Sequence, residues 1–134
     1  MLTGKHAPLP ALGDILWCHF PESERLGIPG PKPRPVLVVG RHAESYSVLI
    51  VYGTSQKTQN VYPTEFVVLA DDEVTGLFYD TKFDMARRIL VPFTQQWFSR
   101  APVHPPLRPV PKMGVLPARY YQAMQDAYLR SKRQ

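Results

Sequence analysis

Fifteen of the 134 residues are proline, and their placement rules out most folds before any other feature is weighed. Proline lacks an N–H and its ring collides with the preceding helical turn. It therefore stands outside helix interiors and central strands. The segments between prolines are short and apolar, and most read as strands. Gly13 to Phe20 combines β-branched and aromatic residues, with a turn signal before it and Pro21 after it. Pro21 to Pro33 carries two glycines and too many prolines for regular structure, so it is a long loop. Pro35–Gly40 and Ser47–Tyr52 are continuous apolar runs, the pattern of strands buried on both faces. Only Arg41 to Tyr46 separates them, which predicts an antiparallel hairpin.

Further along, Glu65–Leu69 predicts a fourth strand and Phe83–Phe93 a fifth, with polar loops over 53–63 and 71–80. The segment 101–111 predicts an extended polyproline connector. Its Pro106-Leu107-Arg108-Pro109 fits a PxxP ligand pattern as well as a stiff spacer. Residues 112–134 predict a terminal helix: Pro117 suits a first turn, and Tyr120 or Tyr121, Met124, Ala127 or Tyr128, and Ser131 recur at helical spacing. Arg130, Lys132 and Arg133 fall where the helix dipole favours cations. The expected architecture is one domain: a loose leader over 1–12, a small, partly open barrel over 13–100, the connector, and a helix packed on the barrel.

Composition narrows the function classes. Hydrophobic residues make up 44 % of the chain and charged residues 20 %, which fits a globular protein and not a disordered one. The lone Cys18 lies within an apolar run, so it reads as a small buried hydrophobe in a reducing compartment. No apolar run approaches the ~20 residues of a membrane helix, and residues 1–10 lack the apolar stretch of a secretory signal. A cytoplasmic protein with no membrane partner is expected. The charge is unevenly placed. Residues 1–86 hold seven Lys or Arg against ten Asp or Glu, whereas 87–134 hold nine against Asp126 alone. Such a basic C-terminal third points to an acidic partner (nucleic acid, a membrane surface or an acidic protein) or to a solvated basic face.

Standard catalytic machinery is missing. The sequence has no phosphate-cradling glycine loop, nucleophile elbow or Cys/His zinc spacing. Its four histidines are scattered, and Asp71, Asp72 and Glu73 read as a solvated turn. Neither a metal nor a cofactor is called for. Two places do attract notice. Arg34 lies between Pro33 and Pro35 at the mouth of a buried strand, and Gly53-Thr54-Ser55-Gln56-Lys57 follows the end of the next one. Antiparallel pairing would bring Arg34 and Thr54 to one sheet end, as an anion site of guanidinium, hydroxyl and backbone N–H groups. The alternative is that Arg34 caps a carboxylate and Thr54 makes an ordinary turn bond.

The order and spacing of these segments resemble the MazF/PemK family of toxin endoribonucleases. The resemblance rests on Gly13-Asp14-Ile15-Leu16-Trp17, then Lys32-Pro33-Arg34-Pro35-Val36-Leu37-Val38-Val39, then Val51-Tyr52-Gly53-Thr54-Ser55, and later Met113-Gly114-Val115-Leu116-Pro117 at the entry to the last helix. It is good over 13–69, weaker over 70–100 and partly restored over 112–130. It implies an SH3-like barrel of the MazF/CcdB type with a C-terminal helix, usually a homodimer. It also implies metal-independent cleavage of single-stranded RNA, with DNA engaged only indirectly through a small acidic antitoxin. Carried over residue by residue, the catalytic pair is Arg34 and Thr54, while Lys32, Ser55, Gln56 and Lys57 would hold RNA. His19 stands where the family often has an acidic residue. It is either a proton carrier or RNA contact, or a partly buried structural histidine. The readings that compete with a ribonuclease are a barrel that binds RNA or protein without cutting, and a toxin relative acting on a protein such as a topoisomerase.

Overall fold

Six strands form one antiparallel sheet: β1 (Asp14–Cys18), β2 (Arg34–His42), β3 (Ser47–Thr54), β4 (Glu65–Val68), β5 (Thr81–Pro92) and β6 (Lys112–Val115), in the spatial order β4-β5-β3-β2-β1-β6. The computed structural model describes residues 4–102 and 111–132. A single α-helix, α1 (Tyr121–Ser131), follows a 3-10 turn at Ala118–Tyr120. The mainly-β barrel with a terminal helix is thus the observed class. Among the described residues no helix is long and apolar enough to cross a membrane.

The continuous apolar runs are explained by a core on each face of the sheet. Leu37 points into a core with Ile15, Val51, Phe83 and Met113, which Tyr120 of the 3-10 turn and Met124, Ala127 and Tyr128 of α1 cover. Val36 and Val38 point into the opposite core with Leu16, Ile50, Phe93, Trp97 and Phe98. Each large side chain so buried contributes roughly 1.5–3 kcal/mol relative to exposure. Cys18 belongs to the second core, is fully buried, and has its thiol pKa pushed up by that burial. It is an inert packing residue.

Two expectations need correction. Residues 4–12 are not loose. Lys5 bridges Thr94, the His6 amide donates to the Phe93 carbonyl at 3.1 Å, and Tyr46 Oη donates to the His6 carbonyl at 2.6 Å. Residues 112–115 are a sixth strand rather than the start of the helix. β6 pairs with β1, and Lys112 Nζ lies 3.3 Å from the buried Asp14 carboxylate. Four residues with a central glycine carry too little periodicity to be read as a strand without that partner. Within 71–80, Glu73–Thr75 forms a 3-10 turn capped by Asp72, whose side chain accepts from the Val74 amide. Hydrogen bonding from Arg119 and from that amide holds the Asp72 carboxyl below the usual carboxylate range. Of the polyproline connector, residues 103–110, including the PxxP segment, lie outside the described residues, as does Arg133.

The basic C-terminal third does not gather into one patch among the described residues. Lys112 pairs with Asp14 and Arg119 with Asp72, while Arg88 and Lys132 lie over the Tyr128 ring. Arg130 Nη1 reaches the Pro63 carbonyl at 3.5 Å, Arg100 is exposed, and Arg87 turns toward the end of the β2–β3 hairpin over the Tyr52 ring.

Candidate active site

The hairpin places the two residues of interest. β2 and β3 pair Val36 with Tyr52, Leu37 with Val51 and Val38 with Ile50. Continuing that register toward the start of β2 sets Arg34 across from Thr54. Gly53 makes the close approach possible, because a Cβ there would collide with the Pro35 carbonyl and come within 2.8 Å of the Phe83 ring. Both residues line a cleft of about 410 Å³, together with Lys32, Ser55, Gln56, Trp17, Phe78 and Tyr79. Two cations face it, and no carboxylate, imidazole or thiol is among the described residues that line it. Its electrostatic character is that of an anion site.

The side-chain bonds clarify what each residue has left to offer. Thr54 Oγ1 accepts from the Gln56 amide at 3.1 Å, which is the ordinary turn bond the sequence allowed for. A hydroxyl that accepts in this way keeps its own proton to donate. Arg34 caps no carboxylate: among the described residues it enters no ion pair. Instead its Nη1 donates to Tyr52 Oη at 2.7 Å, and its guanidinium lies 5.1 Å from the Tyr52 ring centre. Among the described residues nothing else accepts from Arg34, which leaves its remaining N–H groups to an anion.

Tyr52 and Arg87 are functional candidates that sequence reasoning missed. The Arg87 guanidinium lies 3.8 Å from the Tyr52 ring centre and 5.6 Å from that of Phe20. Tyr52 is therefore in contact with two guanidiniums, Arg34 at its hydroxyl and Arg87 over its ring. A shift in the β3–β5 register makes this possible. Val51 pairs with Arg88 but Tyr52 with Asp84, so Met85 to Arg87 bulge out of the ladder. Bulges re-aim side chains in this way. Arg87, Arg34 and Lys32 line a second cleft of about 360 Å³, with Glu22 and Glu24 also on its wall, and Arg34 and Lys32 line both clefts. Tyr52 could have been singled out in the sequence, since it precedes Thr54 by two residues and shares its face of β3. Nothing in the sequence announced the bulge. Tyr52→Phe removes the acceptor that orients Arg34 and is expected to slow turnover of an anionic substrate about 10-fold. Single-turnover rates check this, and an unchanged rate would remove Tyr52 from the site.

The other expected residues divide. Lys32, Ser55 and Gln56 are exposed and line the first cleft. Lys57 is exposed one residue beyond Gln56 and lines neither cleft. Its carbonyl is tied to Lys82 Nζ at 3.1 Å. His19 also lies outside both clefts. Its Nδ1 donates to the Gly30 carbonyl at 3.1 Å, and its Nε2 is hydrogen-bonded to Ser99 Oγ at 2.6 Å. The ring ties the long loop before β2 to the segment after β5.

No protein-family model matches the chain, and no curated protein matches its sequence. Solved structures do match its fold. An endoribonuclease from mycobacterial species is similar at 12 % identity and a TM-score of 0.60, over 93 % of this chain and 92 % of that one. A mycobacterial endoribonuclease in complex with its cognate antitoxin is similar at 13 % identity and a TM-score of 0.60, over 92 % and 94 %. The Mycobacterium tuberculosis toxin MazF-mt6 is similar at 18 % identity and a TM-score of 0.61, over 90 % and 96 %. The chain has the fold of these two endoribonucleases and of the toxin MazF-mt6 along nearly its whole length.

Proposed function

We propose that this protein is a toxin endoribonuclease of the MazF type that cleaves single-stranded RNA at the Arg34–Thr54 cleft. The observation that carries the reading is that Arg34 and Thr54 face one cation-lined, carboxylate-free cleft on the fold of known endoribonucleases. RNA brings its own nucleophile, the 2′-hydroxyl. Attack on the adjacent phosphorus forms the O2′–P bond and breaks the P–O5′ bond, giving a 2′,3′-cyclic phosphate and a 5′-hydroxyl. Negative charge builds on the non-bridging oxygens, where the free Arg34 N–H groups and the Thr54 hydroxyl proton are directed. Such preorganised donors are commonly the largest catalytic contribution. Arg34 stays protonated throughout, so its role is charge stabilisation by hydrogen bonding, while solvent water takes the 2′-hydroxyl proton and supplies one to the leaving O5′ oxygen. Lys32, Ser55 and Gln56 hold the flanking backbone, and Arg87 holds the strand where it leaves the cleft past Arg34. The reaction so drawn needs no metal.

The same reading assigns the protein a cytoplasmic setting, a homodimeric state, and a small acidic antitoxin as its inhibitor. The antitoxin-bound relative of the same fold supports that last assignment. The test is incubation with a mixed-sequence single-stranded RNA in EDTA, beside Arg34→Ala, with the ends mapped. Discrete cuts carrying 5′-hydroxyl ends, absent with the variant, are expected. RNA bound but uncut across many sequences would replace the enzyme with a binding module. Neither binding nor cleavage would direct the search to a protein target.

A further inference from the structure

Two of the most exposed aromatic side chains belong to the wall of the cleft that holds Arg34 and Thr54. Phe78 is 57 % exposed and Tyr79 72 %. They are not the tip of a slack loop. Leu77 before them is buried in the core, and Thr81 after them begins β5. Gly76, at φ 68°, packs so closely on the Met113 carbonyl that no Cβ would fit. Thr81 Oγ1 donates to the Tyr79 carbonyl at 2.9 Å, and the Asp80 carboxylate accepts from the Ala70 amide at 2.8 Å. The backbone is thus anchored on both sides while two rings are left in water, at a cost in exposed apolar surface that the fold does not recover. Neither ring is among the aromatic or cation contacts of the described residues, unlike Tyr52 and Tyr128.

We infer that Phe78 and Tyr79 form a stacking platform for an unpaired nucleobase of the nucleotide whose phosphate sits at Arg34. This rests on the ribonuclease reading and adds to it the residues that read the base beside the cut. A phosphate cleft supplies charge and no discrimination, whereas an aromatic face in the same cleft takes a base only once it is unstacked from its neighbours. Single-stranded substrate is thereby selected by geometry. The commitment to a base, rather than a protein side chain, follows from the shared cleft: Arg34 and Lys32 line it together with the rings, and no acid among the described residues lines it to repel a phosphodiester.

The test scans a cleavable single-stranded oligonucleotide with single abasic substitutions, using the wild-type protein and Tyr79→Ala, Phe78→Ala and Tyr79→Trp. Tyr79→Ala is expected to raise KM for the intact oligonucleotide roughly 10- to 100-fold. Its salt dependence should stay as in the wild type, because no phosphate contact is lost. One abasic position should cost the wild type a similar factor and cost Tyr79→Ala little more. Tyr79→Trp should restore affinity, since it keeps a ring face. Wild-type cleavage with KM unchanged in both alanine variants would overturn the platform and leave the ribonuclease reading standing. A wild type that neither binds nor cuts RNA would overturn both. Intact RNA handling by Tyr79→Ala together with lost affinity for a protein inhibitor would reassign the rings to a protein interface and overturn the proposal.

Discussion

Arg34→Ala is expected to lower the rate of RNA cleavage by about 10²–10³-fold while the protein stays folded, because one preorganised donor to the developing charge is removed. Folding should survive, since Arg34 enters no ion pair among the described residues and its one side-chain bond is to the Tyr52 hydroxyl. Thr54→Ala should cost a similar factor, with an added loosening of the turn that Thr54 Oγ1 holds through the Gln56 amide. Arg34→Lys is the informative companion. It keeps the charge but loses the planar fork, so it should recover RNA binding more fully than cleavage. Single-turnover rates and thermal melting on the same samples separate these effects. Full activity in Arg34→Ala would take the residue out of the mechanism.

Lys82→Met is expected to have the largest effect on stability. Lys82 sits on β5 between Thr54 and Val67 of the neighbouring strands, and its side chain is only 6 % exposed. Its ammonium lies 3.3 Å from the Glu65 carboxylate and donates to the Lys57 and Asn60 carbonyls at 3.1 Å and 2.8 Å. Removing it strands a mostly buried carboxylate and takes the ammonium from two loop carbonyls, of which Lys57's keeps the Asn60 amide at 3.0 Å. A buried pair broken on one side typically costs ~3–5 kcal/mol, or roughly 10–20 °C in melting temperature for a chain of this size. Because those carbonyls lie on the loop that carries Ser55 and Gln56, cleavage should fall as well. Lys82→Met with Glu65→Leu should regain much of the stability, since replacing both charges removes the stranded one. It should not regain the activity, because the loop stays unanchored. A melting temperature unchanged in Lys82→Met would mean that the pair contributes nothing net.

Much of this protein was determined by local sequence. Val36–Val39 and Val48–Val51 could be read as strands because a chain buried on both faces needs apolar residues at every position, and the short link between them left only an antiparallel hairpin. That hairpin alone set Arg34 beside Thr54, so the core of the candidate site was legible before any coordinates. The helix stripe ending in Ala127 and Tyr128 was legible for the same reason, through a period of 3.6 residues. What tertiary structure decided lies where no single segment carries the signal. β6 exists because β1 offers it an edge and Asp14 offers Lys112 a partner. Arg87 reaches Tyr52 because β5 bulges against β3. His19 is spent on the Gly30 carbonyl and Ser99 because folding brings together segments far apart in the chain. Phe78 and Tyr79 face the cleft because Leu77 and Thr81 are held in place on either side of them. Periodicity reports which side of an element is buried. It does not report which distant element a side chain meets, because that contact depends on register and bulges set by the whole sheet at once.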